Sequence, residues 1–99
     1  MAVKVREDRG VFFVSGELDL GAVEQFRAGM APALERAGEI VIDLAEVTFI
    51  DSSGLRSIAL LARAVRERGI LLRYPQDPVL RVLEMIDLEE IPGIRIERW

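Results

Sequence analysis

Val41-Ile42-Asp43-Leu44, followed after two residues by Val47-Thr48-Phe49-Ile50-Asp51-Ser52-Ser53-Gly54-Leu55, decides the fold of this chain. Glu39 to Leu44 is a short, nearly continuous apolar run. A strand covered on both faces has this composition, so it belongs in the middle of a sheet. A second apolar pulse, Val47 to Ile50, leads into Asp51-Ser52-Ser53-Gly54. From there the periodicity turns helical, over Ser53 to Arg68, and Gly69 ends it. Leu55, Ile58, Ala59, Leu61, Ala62 and Val65 form its buried stripe, which turns Leu60 away with Ser53, Ser57 and Ala64.

Working toward the amino terminus, Asp19 is placed to cap a helix over Leu20 to Arg36. Val23, Phe26, Arg27, Met30, Ala33, Leu34 and Ala37 recur at helical spacing, with the stem of Arg27 along the core edge and Gly38 beyond the end. Val3 to Glu7 alternates as a half-buried strand, Asp8-Arg9-Gly10 supplies a turn, and Val11 to Val14 returns as a second strand closed by Gly16. Toward the other end, Ile70 to Tyr74 is a strand. Asp77 caps a third helix, with Pro78 in its first turn, over Val79 to about Ile86. Pro92-Gly93 breaks the chain before a last strand, Ile94 to Trp99. The order β-β-α-β-α-β-α-β predicts an α/β fold. Residues 1–99 are expected to form one domain, a mixed sheet of four to five strands with about three helices packed on it.

Composition narrows the chemistry. Of 99 residues 51% are hydrophobic and 30% charged, which suits a packed domain and not a disordered one. There is no cysteine and no histidine. Ser-His-Asp and Cys-His catalysis, histidine-ligated metals and phosphohistidine transfer are therefore excluded within this chain. No G-x-S-x-G elbow is present either, so a hydrolase reading ranks far behind a binding one. The net charge is −4 and the basic residues alternate with acidic ones, which disfavours direct nucleic-acid binding. No run approaches the roughly 20 apolar residues of a membrane span, and no secretory signal opens the chain, so no membrane insertion and a cytoplasmic location are expected.

The chemistry-bearing segment is the turn at Asp51. Ser52 stands where loop gives way to helix, so its hydroxyl is expected to be exposed and ordered. First-turn N–H groups lack partners within a helix and favour negative charge, so a phosphate adding about −1.5 to −2 charges is locally tolerable. Local sequence does not separate Ser52 from Ser53. It also leaves Asp51 as either a strand-end carboxylate on backbone amides or a group that orients the hydroxyl. Arg56 in the first turn either pairs with Asp51 or meets a partner or phosphate. Asp43 and Asp51 have no further matched ligands, so strand-end roles are expected of them, no metal and no cofactor.

The segment Val41 to Leu44 with Val47 to Leu55 resembles the STAS family, whose best-known members are bacterial anti-sigma factor antagonists. Gly16-Glu17-Leu18-Asp19 before the first helix is similar to a second family pattern, and Asp77-Pro78-Val79-Leu80-Arg81-Val82-Leu83 before Ile86-Asp87-Leu88 to a third. The three occur in order across roughly Val3 to Ile91. The resemblance implies a protein-binding switch in which an anti-sigma factor serine kinase phosphorylates the first hydroxyl after the aspartate, here Ser52, with Ser53 as runner-up. The unphosphorylated form would hold the anti-sigma factor and release a sigma factor, and a phosphoserine phosphatase would reset it. Asp19, Asp51, Ser53, Gly54, Arg56, Ser57 and Leu60 are the expected partner contacts. The alternative the resemblance leaves open is a STAS subunit of a lipid-transport ATP-binding-cassette complex, binding without phosphorylation. Family members usually continue into a further helix after the last strand. Here that space would be covered by a partner or filled in part by Trp99.

Overall fold

A computed structural model describes residues 2–99. Five strands form one sheet in the spatial order β1-β2-β3-β4-β5. They are β1 (Val3–Asp8), β2 (Val11–Leu18), β3 (Ile40–Ile50), β4 (Ile70–Arg73) and β5 (Ile94–Glu97). The first pair is antiparallel and the other three are parallel. The β1–β2 hairpin closes through Arg9 (φ 51°) and Gly10 (φ 84°), the two positive φ values that a two-residue loop needs to match strand twist. Each later strand adds on the same side of its predecessor. Right-handed crossovers then carry α1 (Val23–Met30), α2 (Ser52–Ala64) and α3 (Asp77–Met85) over one face of the sheet. The architecture is the expected mixed α/β one, with five strands.

The core lies between that face and the helices. Phe12, Val14 and Leu18 of β2, Ile42, Leu44 and Val47 of β3, and Leu72 of β4 meet Phe26, Ile58 and Leu83. Alternation puts Arg6, Phe13, Asp43 and Arg73, paired across β1 to β4, on the opposite face. There Asp43, 6% exposed, takes Arg73 Nη2 at 2.9 Å and the Ala45 N–H at 2.9 Å. The two guanidiniums of Arg6 and Arg73 lie over Phe13, 4.6 and 5.8 Å from its centroid. Asp43 thus has a structural role, but within β3 and not at the strand end expected of it. Trp99 is 84% exposed and stacks on Tyr74 with centroids 4.4 Å apart.

Several local expectations are corrected. The helix expected over Leu20 to Arg36 is three pieces: a 3-10 turn at Leu20–Ala22, α1, and a second 3-10 segment at Ala31–Glu35. Pro32 breaks it, since its ring removes an N–H and crowds the carbonyl one turn back. Leu34 consequently leaves the core, at 54% exposure. The stem of Arg27 does not line the core; the residue is exposed and pairs with Glu24 at 2.7 Å. Gly16 does not close β2. At φ 106° it sits in an irregularity through which pairing with β3 continues to Leu18, and a Cβ there would lie 2.3 Å from the Ala2 carbonyl oxygen. The two apolar pulses around Glu46 are one strand, β3. α2 ends at Ala64, four residues early, and the chain reaches Gly69 through a turn. Gln76, not Asp77, is the cap residue of α3. Among the described residues, no helix is long and apolar enough to cross a membrane.

Candidate functional site at the start of α2

The carboxyl ends of β2 and β3 lie side by side, with Leu18 opposite Ile50. Asp19 and Asp51 follow directly, and the Asp51 N–H donates to the Leu18 carbonyl at 3.2 Å. Crevices at the carboxyl ends of parallel strands are where α/β sheets present functional groups. Here α2 starts in that position because Asp51 is extended (φ −122°, ψ −171°) and its carbonyl accepts the first helical bond, from Leu55 at 2.9 Å.

Asp51 is the side-chain cap. Its Oδ1 accepts from the N–H of Ser53 at 2.9 Å and of Gly54 at 3.1 Å. The strand-end alternative for Asp51 is the one observed, and two first-turn donors expected to be free for an anion are already satisfied. Ser52, the first helical residue, is exposed and neither serine side chain serves as cap. Ser53 is half-buried, and its carbonyl accepts from the Ser57 hydroxyl at 3.0 Å. Gly54 is buried. A Cβ on it would stand 2.3 Å from the Leu18 carbonyl oxygen and 2.9 Å from Ile50 Cγ1, so only glycine lets α2 approach the sheet this closely.

Arg56 is exposed and makes no ion pair among the described residues, so its pairing with Asp51 is absent. It follows Ser52 by four residues and shares its helix face. Asp19 precedes a 3-10 turn without a side-chain cap bond. Its Oδ1 is buried and, among the described residues, unpartnered, so the capping role expected of it is not the one it has. Leu60 faces outward, 49% exposed, with Ser57 and Ala64 beside it. The structure therefore gathers Asp19, Asp51, Ser52, Ser53 and Gly54 at one end of the sheet. It sets Arg56 one turn and Leu60 two turns along α2.

Leu20 and Phe49, 75% and 50% exposed, flank the same turn and were not legible in the sequence. Simple alternation puts Phe49 on the side of Val47. A register shift between Gly16 and Glu17, opposite Val47 and Phe49, turns Phe49 outward and Ile50 into the core. Among the described residues no group of three or more acidic side chains is placed to hold a metal ion.

The comparisons with known proteins agree with this geometry. A family model described as "Mlab, STAS domain" matches residues 1–95. An anti-sigma F factor antagonist from Paenibacillus polymyxa is 32% identical over 100 residues, spanning 95% of this chain and 86% of the relative. Among solved structures, the anti-sigma factor antagonist SpoIIAA in its unphosphorylated form superposes with a TM-score of 0.71 at 25% identity. That match covers 95% of this chain and 86% of SpoIIAA. On the family model, the relative and the shared fold together, the chain belongs to the STAS domain family.

Proposed function

We propose that this chain is an anti-sigma factor antagonist, a binding protein and not an enzyme, switched by phosphorylation of Ser52. The exposed Ser52 hydroxyl, left free because Asp51 caps the helix, is the observation that carries the reading. A kinase needs a hydroxyl that is accessible, ordered and not already committed. Ser52 meets those conditions better than half-buried Ser53. The unphosphorylated turn, with Leu20 and Phe49 around it, offers an apolar and polar surface to an anti-sigma factor serine kinase in the cytoplasm. Binding there frees a sigma factor.

A phosphate on Ser52 adds about −1.5 to −2 charges beside the Asp51 carboxylate. Asp51 already occupies the amides of Ser53 and Gly54, so the phosphate gains little from them and projects outward. Arg56, one turn on and without an ion pair among the described residues, is the cation within reach of it on this helix. The modified turn presents bulk and negative charge where the partner packed, and a phosphoserine phosphatase restores it. Asp19, half-buried at the end of β2 beside the Asp51 turn, is placed to border the same surface.

The test is intact mass with site mapping after incubation with ATP and candidate anti-sigma kinases of the same genome. One phosphate on Ser52, lost in Ser52→Ala and kept in Ser53→Ala, is the expected result. No modification by any candidate, with co-purification of a membrane transporter, would replace this reading with the transport-complex subunit.

A further inference from the structure

A groove of about 260 Å³ runs between α1 with its following 3-10 segment and α2. Phe26, Met30 and Leu34 form one wall, and Ser57, Leu60 and Leu61 the other. Phe26 and Met30 are buried floor, while Leu34 and Leu60 are half-exposed lips. The volume falls below the roughly 300–1,000 Å³ of small-molecule sites, and an open apolar trench between two helices suits side chains presented by a helix.

Arg27 is the one cation in the groove's lining; beyond it, the outer face of α2 next to Leu60 is cationic in a chain whose net charge is −4. Arg56 and Arg63 stand four residues before and three after Leu60, which makes them its neighbours on the outer face of α2. Both are exposed and make no ion pair among the described residues. Arg27 lines the groove from α1, with its charge met by Glu24 at 2.7 Å. Glu67, the next acid along the α2 side, pairs with none of them. A second copy offering the same surface would oppose arginine to arginine, which disfavours a symmetric dimer here.

We propose that this groove docks an acidic amphipathic helix of a protein partner. Its apolar residues at helical spacing fill the trench against Leu34, Leu60 and Leu61, and its carboxylates pair with Arg56 and Arg63. The proposal shares Arg56 with the reading given above for a phosphate on Ser52, and Ser57 and Leu60 with the expected partner contacts, but it uses none of that turn's hydroxyls.

The experiment titrates the ¹⁵N-labelled full chain with two synthetic helical peptides sharing one leucine face. One carries Glu and the other Lys at the flanking positions. The Glu peptide is expected to shift the amides of Leu34, Ser57, Leu60 and Leu61, and the Lys peptide to leave them unmoved. Affinity for the Glu peptide is expected to fall about tenfold in Leu60→Glu and in Arg56→Glu/Arg63→Glu, with the latter gaining affinity for the Lys peptide. Equal binding of both peptides, binding of neither, or shifts confined to the helix-free face of the sheet would overturn the proposal. So would concentration-dependent dimerisation through these same residues.

Discussion

Asp51 holds the Ser53 N–H through its carboxylate at 2.9 Å, and that one bond separates the two serines of the turn. With Asp51 as cap, Ser53 is fixed by its backbone and half-buried, while Ser52 is left with an exposed hydroxyl. Asp51→Ala should lower unfolding free energy by about 1 kcal/mol, the ordinary worth of a capping side chain. Asp51→Asn, which keeps an acceptor, should cost less. Urea denaturation of the two variants checks this; equal losses would mean that charge and not the bond matters.

Gly54 and Leu18 set how closely α2 lies on the sheet. Alanine normally favours a helix over glycine by roughly 0.5–1 kcal/mol. Here the added methyl would meet a backbone carbonyl oxygen at 2.3 Å, which cannot move without disturbing the β2–β3 pairing. Sterics should win, and Gly54→Ala should destabilise by about 2 kcal/mol. A midpoint at or above that of the parent would show that α2 shifts freely.

The Asp43–Arg73 pair on the opposite face is a second stability test. Arg73→Ala leaves Asp43, 6% exposed, with only the Ala45 N–H. Since the side chain of Arg73 is itself 25% exposed, water compensates in part, and a loss of about 2 kcal/mol is expected. Replacing both residues with apolar ones, Asp43→Leu/Arg73→Met, should cost less than Arg73→Ala alone, because no buried charge is then left unpaired. A larger loss in the double variant would assign the pair a net stabilising role.

Acid stability has one legible contributor. The Arg27 guanidinium hydrogen-bonds Glu24 and holds its carboxyl below the usual glutamate value. A folded-state value below the unfolded one stabilises at pH above the unfolded value, and that stability is lost as pH falls through the folded value. Glu24→Gln should therefore flatten the acid limb of the stability profile and leave its shape near neutrality unchanged. The residue is fully exposed, so the effect is small and fades with added salt. Denaturant midpoints taken across the carboxylate range in low and high salt check it.

Much of the fold was readable because periodicity is local. The hairpin at Arg9-Gly10, the central strand from Ile40 and the apolar stripe of α2 each follow from spacings within a few residues. Reading failed where a proline or a partner strand intervened. Pro32 divided the first helical segment, and the stripe that included Leu34 then had no continuous helix to belong to. The register shift beside Gly16 reversed Phe49, which no pattern within β3 itself encodes.

By itself, then, the sequence determined the order of elements, the loop-to-helix turn at Asp51-Ser52-Ser53-Gly54, and the absence of histidine and cysteine chemistry. These depend on residue identity and short-range spacing. Only the tertiary structure decided which of several competing acceptors caps α2 and that Arg56 makes no ion pair among the described residues. The same holds for the Asp19 oxygen, unpartnered among the described residues, and for the groove that Leu34 and Leu60 border. Hydrogen-bond partners are chosen among groups brought together from distant parts of the chain. Geometry between β2, β3 and two helices therefore settles the choice, and local propensity does not.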